Sequence, residues 1–279
     1  GSATGTVIFP RYHQWDCVLR LEADAKANGA GRRYLIQHSA GSGKSNSISW
    51  LAHRLSSLHD DSERQVFDKG VVITDRVVLD AQLAATIEQF DHVTGVVKRV
   101  EAKAGSKSSN LAEALASSTA RIIICTLQTF SFVDEIPAVD GKRFAVIVDE
   151  AHSSQTGEAA KDLKGVLGAE AEEERLKISE KEEAGEPVTD EDRLNEAVAA
   201  RAAQSNLSFF AFTATPKQRT GELFGTPNPV TGVKGPFHTY SMRQAIEEGF
   251  ILDVLRFYTP FDVFWKVAKA EGDDPEVDK

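Results

Sequence analysis

A short apolar run, a glycine-punctuated loop ending in Lys-Ser, and a helical repeat follow one another near the start of this 279-residue chain. Tyr34-Leu35-Ile36-Gln37 suits a buried strand, His38-Ser39-Ala40-Gly41-Ser42-Gly43-Lys44-Ser45 follows, and Ile48, Leu51, Leu55 and Leu58 then recur at helical spacing. Glycines let backbone N–H groups point inward without a Cβ in the way, and the next helix adds the positive end of its dipole. Such converging donors are what a triphosphate requires. Gly41, Ser42 and Gly43 are expected to cradle it, Lys44 to reach its β- and γ-phosphates, and the Ser45 hydroxyl to bind Mg²⁺. The strict pattern opens with Gly, whereas His38 stands there.

A second motif answers the first. Phe144-Ala145-Val146-Ile147-Val148 reads as a buried strand, and Asp149-Glu150-Ala151-His152 ends it. Ligands bind at the carboxyl ends of strands in parallel sheets. Beside a phosphate loop, Asp149 is expected to hold Mg²⁺ and Glu150 to activate the attacking water. Thr213-Ala214-Thr215-Pro216 ends a later strand; with His152, Thr213 and Thr215 are candidates for coupling nucleotide state to a second surface.

The apolar runs Tyr34–Gln37, Val71–Thr74, Ile122–Thr126, Phe144–Val148 and Phe209–Phe212 predict parallel strands covered on both faces, with Val96–Val100 a further candidate. Helical spacing recurs between them, as at Leu79, Leu83, Ile87 and Phe90. The expected fold is therefore α/β: an open, mainly parallel sheet with helices on both faces. The stretch 158–205 breaks the rhythm. It is rich in Ala and Glu, and Thr189-Asp190-Glu191-Asp192 resembles a capping box, so an exposed acidic helical insertion is expected there. Residues 1–216 are assigned to one lobe, 217–264 to a linker and the start of another, with a helix over Ser241–Glu248, and 265–279 to a disordered tail.

A net charge of −10 opposes nucleic-acid binding overall, but residues 158–201 alone carry −7, and global charge leaves room for a local basic groove. Gly1-Ser2 reads as a cloning scar, and no apolar run has the length of a membrane span. Cys17 and Cys125 lack metal-ligand spacing and are read as reduced thiols, Cys125 within a strand, in a cytoplasmic protein.

Upstream of the loop, Gln14 is placed to pair with N6 and N7 of an adenine, which would select ATP, with Arg11 beside it. Thr74-Asp75-Arg76 and Thr126-Leu127-Gln128-Thr129 follow strands and carry groups that phosphate oxygens accept. Thr74, Arg76, Thr126, Gln128 and Thr129 are the candidate DNA contacts, with Lys98, Arg99, Lys103 and Lys107 adding charge.

In order, Gln14, Gly41–Ser45, Thr74–Arg76, Thr126–Thr129, Asp149–His152 and Thr213–Pro216 resemble motifs Q, I, Ia, Ib, II and III of superfamily 2 helicases and translocases. Four longer strings are similar to the restriction subunit of type I restriction–modification enzymes: Arg11-Tyr12-His13-Gln14, Gln37 to Ser45, Asp149-Glu150-Ala151-His152-Ser153-Ser154-Gln155-Thr156-Gly157, and Ser241-Met242-Arg243-Gln244-Ala245-Ile246-Glu247-Glu248-Gly249-Phe250-Ile251-Leu252. The resemblance implies the first RecA-like lobe of a P-loop motor. It would use ATP and Mg²⁺ to move double-stranded DNA toward modification and specificity subunits. A nuclease domain precedes that lobe in the family and a second motor lobe follows it; neither is recognised in this sequence. The lobe alone is therefore expected to bind ATP but hydrolyse it poorly. A small-molecule P-loop kinase has no need of the Thr213–Pro216 motif. The alternatives are another superfamily 2 DNA translocase or helicase lobe and a non-catalytic assembly module switched by nucleotide.

Overall fold

The computed structural model describes residues 9–74, 77–89, 95–100, 107–126, 141–149, 178, 181, 205–228 and 231–253. In chain order the described elements are α1 (Tyr12–Asn28), β1 (Arg33–His38), α2 (Lys44–Ser56), β2 (Lys69–Thr74), α3 (Val77–Glu88), β3 (Val97–Arg99), α4 (Lys107–Ala116), β4 (Ile122–Thr126), β5 (Phe144–Val148), β6 (Leu207–Thr213), α5 (Gln218–Phe224), β7 (Thr226–Pro227), β8 (Lys234–Gly235), β9 (His238–Tyr240) and α6 (Met242–Glu247). Seven strands form one sheet in the order β3-β4-β2-β5-β6-β1-β9. Every pairing in it is parallel. β7 and β8 make a small antiparallel pair.

Alternation along each strand divides the core into two layers, because successive side chains leave opposite faces. On β5, Phe144, Val146 and Val148 join one cluster while Ala145 and Ile147 join the other. On β6, Phe209 and Ala211 separate from Phe210 and Phe212 in the same way. One layer packs against α1, α2 and α3 through Cys17, Leu21, Ile48, Leu51, Leu55, Leu83 and Ile87. The other packs against α4 and α5 through Leu111, Leu115, Leu223 and Phe224. A sheet so covered needs apolar residues at consecutive positions, hence the unbroken runs of Val, Ile and Phe in its central strands. Tyr34 stacks on Phe210 with ring centroids 4.8 Å apart. Its hydroxyl donates to Asp24 Oδ2 at 2.7 Å, so this buried phenol keeps a partner.

All six expected strands are present and the α/β class holds. Three features depart from the sequence reading. α1 was not foreseen as a helix. Lys69, the first residue of β2, is buried; its ammonium donates to the Ser117 and Ala120 carbonyls just beyond α4, each at 2.6 Å. The sheet also continues past 216, the boundary expected for the lobe. β9 pairs with β1, Ile36 opposite His238 and His38 opposite Tyr240. Residues 238–240 thus belong to the sheet that carries the phosphate loop. The expected helix over Ser241–Glu248 is α6, capped by the Ser241 side chain, which accepts from the Gln244 N–H at 3.2 Å. Most of the expected insertion 158–205, the run Val254–Phe264 and the tail 265–279 lie outside the described residues.

Candidate functional site

Parallel strands bring the loop after β1 and the ends of β5 and β6 to one edge of the sheet, where β6 runs between β1 and β5. Thr213 ends β6 opposite Gln37 of β1, and Val148 of β5 lies opposite Ala211. The Asp149 backbone N–H then donates to the Ile73 carbonyl of β2 at 3.0 Å, which fixes where its carboxylate leaves the sheet. The two motifs are therefore one strand apart at the same edge. Thr213 is buried and Thr215 exposed. Glu150 and His152 lie outside the described residues.

The loop itself has the geometry its glycines suggest. Gly41 and Gly43 have φ of +74° and +80°, values that L side chains rarely adopt. Gly43 stands immediately before α2, and its carbonyl accepts from the Asn46 and Ser47 N–H groups of that helix's first turn, at 3.1 and 3.4 Å. Lys44 and Ser45 are its first two residues, Lys44 half-buried and Ser45 exposed. The hydroxyls of Ser39 and Ser42 are buried without hydrogen-bond partners. Orphaned donors within a cradle of left-handed glycines fit a bound polyanion, since a buried polar group otherwise costs about 1–3 kcal/mol. Lys44, Ser45 and Asp149 supply the groups that a nucleotide with its magnesium ion requires.

Residues distant in sequence brace this loop. The Gln14 side-chain amide donates to the carbonyls of Ser42 and Gly43, at 3.2 and 2.9 Å. Its Oε1 accepts from the Arg11 backbone N–H at 2.8 Å. Both amide hydrogens are thus engaged by the loop. The expected two-point pairing with adenine needs the Gln14 donors released, whereas the observed contacts make Gln14 a clamp. The Arg11 guanidinium lies over the Phe250 ring, 3.9 Å from its centroid. His13 Nε2 donates to the Ser42 carbonyl at 3.0 Å, and its ring stacks on Tyr240 with centroids 3.6 Å apart. The Tyr240 hydroxyl donates to Glu248 Oε2 at 2.7 Å, a bond that lowers the Glu248 pKa. Ile251 lies close enough to Gly41 that a Cβ there would meet its Cγ2 at 2.8 Å.

His38, at the position where the strict pattern has Gly, turns away from the loop. It ends β1 on the face of Tyr34 and Ile36 and is fully buried. Its Nε2 is 2.8 Å from His238 Nδ1, and His238 Nε2 is 3.1 Å from Asp16 Oδ2. A carboxylate can only accept, so Asp16 fixes the proton of His238 on Nε2; His238 Nδ1 then accepts from His38 Nε2–H. Burial, then the neighbouring His238, His13 and Lys44 charges, push the His38 pKa down to about 3. Burial also lowers those of His13 and His238. Sequence spacing had pointed to neither this network nor His13, because their partners come from α1, β1 and β9.

The candidate DNA contacts divide. Thr74 and Thr126 lie opposite each other at the ends of β2 and β4. Both are buried, at 1% and 7% exposure, so neither hydroxyl is presented to a DNA backbone here. Arg76, Gln128, Thr129 and Lys103 lie outside the described residues. Lys98 is engaged by Glu113 at 2.8 Å.

No curated protein matches the chain in sequence. Among solved structures, a nuclease-deletion mutant of the type ISP restriction–modification enzyme LlaGI, in complex with a DNA substrate mimic, is similar with a TM-score of 0.51 and 14% identity. That match covers 96% of this chain and 23% of the other. The UvsW helicase of bacteriophage T4 has a TM-score of 0.41 at 14% identity, over 84% of this chain and 61% of that one. The Pyrococcus furiosus Hef helicase domain has 0.44 at 16%, over 77% and 36%. The chain thus spans under two thirds of the length of each. No described helix is long and apolar enough to cross a membrane. The profile of the SWI2/SNF2 ATPase family matches residues 13–274, nearly the whole chain, with the glycine loop and the Asp149 strand end inside the match. The chain belongs to the SWI2/SNF2 ATPase family.

Proposed function

We propose that this chain is the first motor lobe of a type I restriction subunit, in which ATP hydrolysis drives movement of double-stranded DNA before cleavage. The observation that carries the nucleotide half of this reading is the phosphate loop, with left-handed glycines, orphaned buried hydroxyls and Lys44 at the start of α2. Gly41, Ser42, Gly43 and Lys44 hold the triphosphate. Ser45 and Asp149 would hold Mg²⁺, whose positive charge would offset the negative charge on the transferred phosphoryl group. Glu150 orients and deprotonates the attacking water. Gln14 and Arg11 border the nucleotide and keep the loop in place. His152, Thr213 and Thr215 couple the nucleotide to DNA.

The restriction half of the proposal rests on the long strings quoted above, notably Ser241 to Leu252, which α6 and the residues behind the phosphate loop occupy. DNA contacts are assigned to Arg76, Gln128 and Thr129, with Thr74 and Thr126 anchoring those loops at the sheet. Modification and specificity subunits, a nuclease domain and a second motor lobe are the proposed partners. In phosphoryl transfer an arginine finger supplied by another domain is worth about 10³–10⁵ in rate. The chain alone is therefore proposed to bind ATP and turn it over slowly.

Glu150→Gln in the complete subunit tests the assignment. A motor loses ATP-driven translocation and keeps ATP binding; a nucleotide-switched assembly module keeps its function. Arg76→Ala tests the DNA half: an unchanged salt dependence of DNA affinity would remove that residue from the interface.

A further inference from the structure

Beneath the phosphate loop lies a cluster that the motor reading does not use. Cys17 on α1, His38 at the end of β1 and His238 at the start of β9 each place a donor atom within 4.8 Å of the other two. Cys17 and His38 are fully buried and His238 nearly so. Asp16 holds His238 from the far side of its ring, through Nε2 at 3.1 Å. His38 Nδ1 is buried with no hydrogen-bond partner. Neither Cys17 nor the two histidines is part of the phosphate cradle.

We propose that Cys17, His38 and His238 form a binding site for a zinc ion, with Asp16 as the carboxylate that orients His238 toward the metal. One sulfur and two imidazole nitrogens are the donors that a borderline-soft divalent cation prefers over the oxygen ligands of magnesium or calcium. Zinc–nitrogen and zinc–sulfur bonds of about 2.0–2.3 Å set tetrahedral donors roughly 3.3–3.7 Å apart. That spacing lies between the 2.8 Å that separates His38 Nε2 from His238 Nδ1 and the 4.8 Å that bounds the whole set. A carboxylate on the outer nitrogen of a metal-bound histidine is a recurring support; it fixes the tautomer and raises the basicity of the inner nitrogen. Charge also balances. The thiol gives its proton to solvent, both imidazoles stay neutral, and the thiolate and Asp16 offset the two positive charges.

The proposed ion ties three distant parts of the chain to one point. β9 is three residues long, and metal would fasten it to α1 and to the residue that opens the phosphate loop. It also accounts for the departure at His38, where an imidazole replaces the usual glycine and leaves the cradle for the cluster.

The test uses the chain stripped with a chelator and titrated with Co²⁺, whose thiolate charge-transfer absorption reports a cysteine ligand. Saturation at one Co²⁺ per chain, displacement by Zn²⁺ and a Zn²⁺-dependent rise in melting temperature are expected. Cys17→Ala should lose the charge-transfer band while keeping its far-ultraviolet circular dichroism. His238→Gln, which leaves both cysteines in place, should weaken Co²⁺ binding at least tenfold; it carries the test if Cys17→Ala does not fold. No band in the wild-type chain, or a band that persists in folded Cys17→Ala, would overturn the proposal.

Discussion

Gln14 Nε2 donates to the Gly43 carbonyl at 2.9 Å across 29 positions of sequence, and the same nitrogen lies 2.5 Å from where a Cβ on Gly43 would stand. The N-terminal helix and the phosphate loop are therefore fitted to one another at a residue where glycine serves two purposes. One is to allow a φ of +80°, and the other is to leave room for Gln14.

Gly43→Ala incurs both penalties. A left-handed non-glycine residue costs about 1–2 kcal/mol, and the new methyl pushes Gln14 off the loop. The expected result is a lower denaturant midpoint and loss of detectable ATP binding, measured by chemical unfolding and nucleotide titration on the same preparation.

Gln14→Ala leaves the backbone of the loop free to adopt its geometry but removes three hydrogen bonds, two to the loop and one to Arg11. At about 0.5–1.5 kcal/mol per bond, ATP affinity should fall roughly tenfold or more while the fold persists. If Gln14 acted only by reading adenine, the variant would lose its preference for ATP over GTP and bind GTP as well as before. A clamp weakens both nucleotides alike, and parallel titrations with the two separate these outcomes.

Much of the frame was legible because its physics is local in sequence. Strands buried on both faces must be apolar at consecutive positions, so the runs ending at Gln37, Thr74, Thr126, Val148 and Phe212 announced themselves. The phosphate loop and Asp149 were legible as motifs at strand ends. α1 was not, because His13 and Gln14 interrupt its buried face, and these polar residues are buried only because the loop accepts their hydrogen bonds. β9 was missed because three residues make no pattern; parallel pairing with β1 places it. The Asp16–His238–His38 network joins three elements, so no spacing along the chain encodes it. The candidate DNA residues Thr74 and Thr126 carried the right chemistry, yet the sheet that supplies them also buries them.

The core makes a stability prediction free of any ligand. Phe210 is fully buried, stacked on Tyr34 and edge-on to Phe67. Phe210→Ala should cost about 3–5 kcal/mol in denaturant unfolding, from lost transfer energy and the cavity left behind. A cost below about 1 kcal/mol would mean that this layer is not packed as described.

Lys69 makes a pH prediction. Burial lowers its ammonium pKa from 10.5 to about 8. Between those values the unfolded chain binds more protons than the folded one, so stability should rise as pH climbs from about 8 toward 10.5. The gain attributable to this residue is at most about 3.4 kcal/mol. Lys69→Met should lose that increment relative to the wild type. Unfolding curves of both proteins across this pH range give the difference.

Residues 39–45, braced by α1, are proposed to form a working triphosphate site within this lobe. Calorimetric titration of Mg-ATP into the chain, with Lys44→Ala as the control, tests it most directly. Saturable binding with one ATP per chain is expected, lost in Lys44→Ala although that variant remains folded. No binding to the wild-type chain, or equal binding to both proteins, would contradict it.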